Sequence, residues 1–369
     1  VFDRDPRNAL LICFGSGITA GTLASSNLEV TGVELSHDVL AFANLFETDN
    51  WNALANPRLK MLVDDGRNFL LTKSGQYDII TFEPMPIAVS GVATFYSREF
   101  YELCKSRLAP RGIVVQWMPL HGTDIHVIRT LLRTFHDIFP ECSVWFVNSD
   151  LFVVGSSEPL QVSYANAERR MSEPRIAAGL REAGINDVTE LLSRHFMTTR
   201  GVVAASQDGS VMRDDRPWIE FAVPRILHTN VVGASIEALL PHFEPLPTSG
   251  AFDGVPEDTA VHVKAGLEKR YRARLHTFAG IQKAYAIGPL GNPEKDFEEA
   301  LRIDPEDAMA RAYFLELAPQ RMAIMLRTEE FEEAEAYLTT LETLFPGSPQ
   351  VLAMKAQLER ALAAPTDSN

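Results

Sequence analysis

A chain of 369 residues, 46% hydrophobic and 22% charged, has ordinary globular composition and is long enough for two or three domains. Its net charge of −15 argues against nucleic acid, which needs a basic footprint, and is compatible with a cationic small substrate. Cys13, Cys104 and Cys142 are scattered without metal-ligand spacing, which points to a reducing, cytoplasmic setting rather than a disulfide framework. No apolar stretch approaches the roughly 18 residues of a membrane helix, and no signal peptide is visible. The chain opens on Val1 rather than Met, which reads as a piece of something longer.

Strand and helix signals alternate through the first part of the chain. ALLICFG (9–15) is a short apolar run ending in glycine, and TAGTLAS (19–25) reads as the first helix. LEVTGVEL (28–35) is a second strand, followed by a helix over SHDVLAFANLFE (36–47) with Ser36 as its cap. RLKMLVDDG (58–66) and YDIITFE (77–83) are the third and fourth strands. SREFYELCKSRL (97–108) is an amphipathic helix, GIVVQWMP (112–119) a fifth strand, and HVIRTLLRTFHDIF (126–139) a helix ended by Pro140. CSVWFVNSD and LFVVGSS (142–157) follow with no helix between them, so one of the two runs antiparallel. Strands separated by helices give a parallel sheet with crossover helices. Five such units closed by a hairpin resemble the Rossmann-like fold of S-adenosylmethionine-dependent methyltransferases, a seven-stranded α/β sheet with a terminal antiparallel hairpin.

The remainder divides into an α/β extension (159–240), a linker (241–259) and a helical region (260–369), after a first domain over 1–158. The extension holds helical stretches and then a loop, QDGSVMRDDRPWIEFAVPR (207–225). The linker is rich in Pro and Gly. FEEALRIDPEDA (297–308) and FEEAEAYLTTLETLFPGSP (331–349) resemble the ends of tetratricopeptide repeats. The FEEA strings lie 34 residues apart, but Pro305 and Pro346 lie 41 apart. The proline phase implies an insertion or irregular helix between two degenerate units.

Candidate ligand residues sit at successive strand ends. Gly15 and Gly17 follow strand one and open the first helix, where glycine lets backbone turn tightly and approach a ligand. Glu34 ends strand two, 17 residues after Gly17, and is placed to accept both hydroxyls of a ribose. Asp65 and Gly66 end strand three in DDG, where the carboxylate suits an adenine amino group or, equally, a turn. In an open sheet these ends converge on one crevice. Glu34 with no phosphate-reading arginine nearby would also suit NAD; the terminal hairpin and the acids on strands three and four are not needed there.

The run from DDGRNFLL through YDIITFEPMPIAVSGVATFYSREFYELCKSRLAPRGIVVQWMPL (64–120) resembles the spermidine synthases, the polyamine aminopropyltransferases. It is more similar still to bacterial spermidine-synthase-like proteins fused to a membrane domain. The resemblance covers roughly residues 8–157 and extends to DDRPWIEFAVPR (214–225). It implies aminopropyl transfer from decarboxylated S-adenosylmethionine to an amine such as putrescine, with no metal. It also implies that Glu83, after strand four, binds the amine and takes its proton. The authentic enzymes carry two aspartates three residues apart; here Glu83 stands at the first and Pro86 at the second. Met85, Pro86, Ile87 and Ala88 stand where the fused group has SNPW. Only about eight residues precede strand one, so the family's N-terminal hairpin domain is expected to be absent from this chain.

Further candidates for the amine side are Tyr96 at a helix entry, Gln116 and Trp117 at the end of strand five, and Asp215 beside Asp214 as replacement acids. His121 is a neighbouring titratable group. Expected partners are the small-molecule amine, a protein held by the helical repeats, an upstream membrane domain and a second copy in a homodimer. Two other functions stay open: methyl transfer from S-adenosylmethionine itself, and a non-catalytic nucleoside-binding scaffold.

Overall fold

The structure, a computed structural model, describes residues 1–363; the last six residues of the expected helical region lie outside them. The chain divides into two compact units, Val1–Leu267 and the part from Glu268 onward.

In the first unit the sheet strands and their connections are β1 (Asn8–Ile12), α1 (Ile18–Ser25), β2 (Glu29–Glu34), α2 (His37–Ala41), β3 (Leu59–Val63), α3 (Gly66–Thr72) and β4 (Tyr77–Phe82). Then come α4 (Arg98–Ser106), β5 (Leu108–Met118), α5 (Ile125–Ile138), β6 (Glu141–Val147) and β7 (Asp150–Ser156). The strand order is β3-β2-β1-β4-β5-β7-β6, and β8 (His195–Thr198), introduced below, lies outermost. The first five are parallel, and β7 is antiparallel to both β5 and β6.

The central strands read as continuous apolar runs because both their faces are covered. Ala9 and Leu11 of β1 pack with Ala20 and Ala24 of α1, Phe14 and Val30. Leu10 and Ile12 point to the opposite face by the period of two and are equally buried. There α4 buries Phe100, Tyr101 and Cys104, and α5 buries Leu131, Leu132 and Phe135 among others. Ser97 and Asp124 cap these two helices by accepting from the Phe100 and Val127 N–H groups.

Several expectations are corrected. The sheet has eight strands rather than seven, because the end of the stretch expected to be helical folds as a strand. After α6 (Tyr164–Met171), α7 (Pro174–Glu182) and α8 (Val188–Leu192), the chain extends as β8 and pairs with the open edge of β6 through Val144 and Met197. That pairing satisfies backbone groups which a further helical turn would leave beside an open sheet edge. The helix expected over 36–47 stops at Ala41 and continues as a tight turn over Ala43–Phe46. It has almost no buried face, since Phe42, Leu45 and Phe46 are exposed. Ser36 stands at its N-terminus without a side-chain cap.

After α9 (Thr199–Ala205), the expected loop over 207–225 contains a helix, α10 (Trp218–Ile226), which buries Ile219 and Val223; α11 (Val232–Leu239) follows. The stretch 241–259 lies inside the first unit, and its Leu246, Ala251 and Phe252 are buried. Its Pro and Gly residues shape a packed loop.

The helix α12 (Glu257–Ile287) runs across the division between the units, and α13 (Glu294–Ile303), α14 (Ala308–Arg327), α15 (Phe331–Leu344) and α16 (Pro349–Ala363) follow. The FEEA strings lie in α13 and α15, and Pro305 and Pro346 stand just past the ends of these helices. The long proline spacing is taken up largely by α14, 20 residues with Pro319 inside it. Phe297, Phe314 and Phe345 form the aromatic core of this unit.

Candidate active site

The sheet register builds the site. Ile12 pairs with Val33 on one side and Phe82 on the other, so the next residues, Cys13, Glu34 and Glu83, stand level on adjacent strands. Neighbouring strands lie about 4.8 Å apart, which puts the Glu34 and Glu83 backbones roughly 10 Å from each other across Cys13. β1 is also where the chain turns from one side of the sheet to the other, and such a switch point opens a crevice at the strands' C-terminal ends.

Cys13 takes a left-handed conformation with φ of 69° and donates its N–H to Val33 O at 3.0 Å. A non-glycine residue there is strained, and the strain lies at the centre of the crevice. Burial, and after it the charges of Glu34, Asp65 and Glu83, push its thiol pKa up to about 12, so it is held neutral. Gly17, at φ 84°, opens α1; a Cβ there would lie 2.4 Å from the Phe14 ring.

Glu34 is buried at 8% exposure. Its Oε2 accepts from the Phe14 N–H at 2.8 Å and its Oε1 from the Ser36 N–H at 3.0 Å. The two bonds fix the carboxylate plane and tie β2 to the glycine loop. A carboxylate has about four acceptor positions, so roughly two remain for a ligand's hydroxyls. Asp65 caps α3, its Oδ1 accepting from the Asn68 N–H at 2.7 Å. Gly66 follows because α3 begins against β1: a Cβ there would lie 2.3 Å from Ile12 Cγ2.

These groups line a cavity of about 500 Å³ together with Gly15, Arg67 and Glu83. Its apolar wall includes Ile12, Val33, Val39, Val92, Phe95 and Phe100. A smaller chamber of about 190 Å³ lies beside it, bounded by Phe14, Ser16, Ile18 and Thr19. Cys13, Gly15 and Glu83 line both. Glu83 therefore stands where the two spaces meet, between an apolar slot and a polar recess. Desolvation pushes its pKa above the ordinary carboxylate value, and a hydrogen bond from the Thr19 hydroxyl, at 2.9 Å, opposes that rise. The side chain nevertheless keeps an open path to solvent.

Of the residues expected from sequence, Gly15, Glu34, Asp65, Gly66 and Glu83 come together around the cavity, and Gly17 shapes the loop behind it. The four amine-side candidates are not among the cavity's lining residues. Tyr96 is fully buried, and burial raises its phenol pKa. Gln116 is also fully buried, on the face of β5 that carries Val114 and Met118, and it accepts from the Tyr101 hydroxyl. Trp117 Nε1 donates to Asp150 Oδ2 at 3.0 Å. His121 reaches the same carboxylate, with Nδ1 3.6 Å from Oδ1, and the pull of Asp150 raises its pKa. Asp215 is exposed, 3.9 Å from Arg213.

It is Asp214, not Asp215, that approaches the cavity, through an ion pair with the lining residue Arg67. Ser90, at the rim, donates to Glu220 Oε1 of α10 at 3.0 Å. Sequence reasoning missed Arg67, Thr19 and Glu220. The available signal was that Arg67 directly follows DDG and that Glu220 lies in DDRPWIEFAVPR.

The parallel sheet, the reversed β7 and acids on successive strand ends define the Rossmann-like methyltransferase fold. Residues 2–152 match the model of the Spermine/spermidine synthase domain. Over 145 residues the chain is 31% identical to Polyamine aminopropyltransferase 2 of Pseudomonas aeruginosa, covering 37% of this chain and 41% of that one. Over 185 residues it is 28% identical to Polyamine aminopropyltransferase of Nitrosomonas europaea, covering 46% and 55%. The chain thus spans about half the length of these curated relatives. Among solved structures it is similar to a probable spermidine synthase from Corynebacterium glutamicum, with 18% identity and a TM-score of 0.43 over 56% of this chain and 72% of that one. Among the described residues no helix is long and apolar enough to cross a membrane.

Proposed function

We propose that the chain transfers an aminopropyl group from decarboxylated S-adenosylmethionine, consumed as a substrate, to an amine such as putrescine. The observation that carries this reading is the position of Glu83, level with Glu34 and lining both cavities. With ribose hydroxyls on Glu34 and the adenine amino group near Asp65, the nucleoside fills the larger space and directs its sulfonium toward Glu83.

The chemistry asks little of the protein beyond alignment and a base. The acceptor is an ammonium at neutral pH and is inert until it loses a proton. Glu83 takes that proton, and the freed lone pair attacks the propyl carbon bonded to sulfur. The N–C bond forms, the C–S bond breaks, and its electron pair neutralises the sulfonium as methylthioadenosine leaves. A carboxylate partly withdrawn from water holds a proton more readily than an exposed one, which suits this step. Cys13, held neutral, does not compete as nucleophile.

Methyl transfer from S-adenosylmethionine is the second reading, favoured by Pro86, which removes an acid from the amine side. Thermal shifts with the two donors and methylthioadenosine separate these readings, since a ligand of the folded state raises the melting temperature. Preference for the decarboxylated donor, with spermidine formed from putrescine by mass spectrometry, supports aminopropyl transfer. Equal or better response to S-adenosylmethionine moves the assignment to methylation, and no response to any of the three sinks both.

A further inference from the structure

Thr19 is the second residue of α1, and its hydroxyl donates to Glu83 Oε1 at 2.9 Å across 64 residues of sequence. The hydroxyl is not spent on the helix, whose N-terminus at Gly17 has no side-chain cap. The start of α1 is itself held in place. Buried Asn50 donates to Ser16 O at 2.9 Å, and Gly21 lies so close to Asn50 O that a Cβ would come within 2.0 Å of it. A fixed helix turn thus meets the carboxylate that lines both cavities.

We propose that Thr19 is a positioning residue for Glu83, holding one carboxylate oxygen so that the other is presented to the acceptor amine. The proposal rests on the reading of Glu83 as the base. A carboxylate free to rotate spends part of its time with neither oxygen aligned, and a geometric error of this kind is costly in rate. The same bond favours the charged form against desolvation, so Thr19 keeps the base ionised as well as aimed. The other titratable or charged groups facing this space are Cys13 from β1, Glu34 from β2, and Asp65 and Arg67 at the start of α3. None of them replaces the hydroxyl as a donor to Oε1.

The test compares the full chain with Thr19→Val, Thr19→Ser and Thr19→Ala. Glu83 is titrated by carboxyl carbon NMR, its signal assigned by its loss in Glu83→Gln, and kcat is followed against pH with decarboxylated S-adenosylmethionine and putrescine. Thr19→Val is expected to move the Glu83 titration to higher pH and to lower kcat at neutral pH on the order of 10-fold, the size of a hydrogen bond to a charged group. The donor KM stays unchanged and Thr19→Ser restores both readouts. Thr19→Ala gives the same result should the valine variant fold poorly. An unmoved Glu83 titration overturns the proposal, as does a kcat loss with no movement of the pH profile. A titration that moves in a chain without transfer activity supports Thr19 as the holder of Glu83 and overturns the transfer reading instead.

Discussion

Arg67 and Asp214, 147 residues apart in sequence, are joined by a two-pronged ion pair, with Arg67 Nη1 2.9 Å from Asp214 Oδ1. Arg67 lines the larger cavity beside Asp65, so the pair fastens the segment before α10 to the wall of that cavity. The Asp214 N–H also donates to Glu99 Oε2 at 3.0 Å, which ties the same segment to α4. Asp214→Ala is expected to cost about 1 kcal/mol, since both side chains are partly exposed and solvent screens them. It is also expected to weaken methylthioadenosine binding, because Arg67 loses its anchor. Urea denaturation and calorimetric titration read the two effects. Partial burial pushes the Asp214 carboxyl up, but hydrogen bonds from Arg67 and Ser97 outweigh it and leave the pKa below the usual value. The pair's contribution is therefore full above the ordinary aspartate range and is lost as pH falls through the lowered folded value. The wild-type advantage over Asp214→Ala should shrink in acid; a difference that grows in acid would reverse this account.

Glu34→Gln tests the ribose contact and the loop at once. Both Glu34 oxygens accept backbone N–H groups, so the amide nitrogen of glutamine would face a donor with another donor. The unmet N–H costs about 1–3 kcal/mol if it stays buried. Methylthioadenosine affinity is expected to fall roughly 10- to 100-fold, as loss of a charged hydrogen-bond acceptor does. Calorimetric titration measures it, and an unchanged affinity removes Glu34 from the ribose site.

Glu83→Gln keeps the shape of the side chain and removes the proposed base. Turnover is expected to drop roughly 100- to 10,000-fold, the usual span for a general base, with nucleoside affinity nearly intact. Wild-type activity is expected to fall as pH drops through the Glu83 pKa. Because desolvation raises that pKa, the acid limb should lie above the ordinary carboxylate range. A profile flat through that region assigns the proton to another group.

The crevice was legible in the sequence because parallel strands buried on both faces are short apolar runs, and each ends where a polar residue begins. Gly15, Glu34, Asp65 and Glu83 mark those ends, so their convergence follows from topology alone. Gln116 misleads for the opposite reason. It sits near a strand end like the others, but alternation along β5 places it on the face covered by Tyr101, and the sequence does not say which face a helix covers. Tyr96 at its helix entry shares that ambiguity. Arg67–Asp214 and Ser90–Glu220 have no local sequence signal, because the partners lie 147 and 130 residues apart and the Pro- and Asp-containing stretch 207–225 has the composition of a loop. β8 was missed because a short apolar stretch after a helix takes strand form only where an unpaired edge awaits it.

Glu294 gives the helical unit a pH dependence of its own. It lies at the start of α13 with 3% exposure, and neither carboxylate oxygen accepts a hydrogen bond from another residue. Desolvation raises its pKa; its own backbone N–H and Arg321 of α14 act against that rise, and Glu298 adds to it. The Tyr337 hydroxyl of α15, also buried without a partner, feels the same acids. Burial of this kind favours the protonated form of a carboxyl over the charged one. The sign follows: the folded pKa lies above the unfolded one, so the contribution is full below the unfolded value and is lost as pH rises through the folded value. The transition of the helical residues is therefore expected to weaken as pH rises above the ordinary glutamate pKa. Glu294→Gln, which cannot ionise, should flatten that slope and melt higher than wild type at the alkaline end, as read by calorimetry across the range. A variant that keeps the wild-type slope would show that Glu294 is already ionised in the folded unit and that the pH dependence comes from elsewhere.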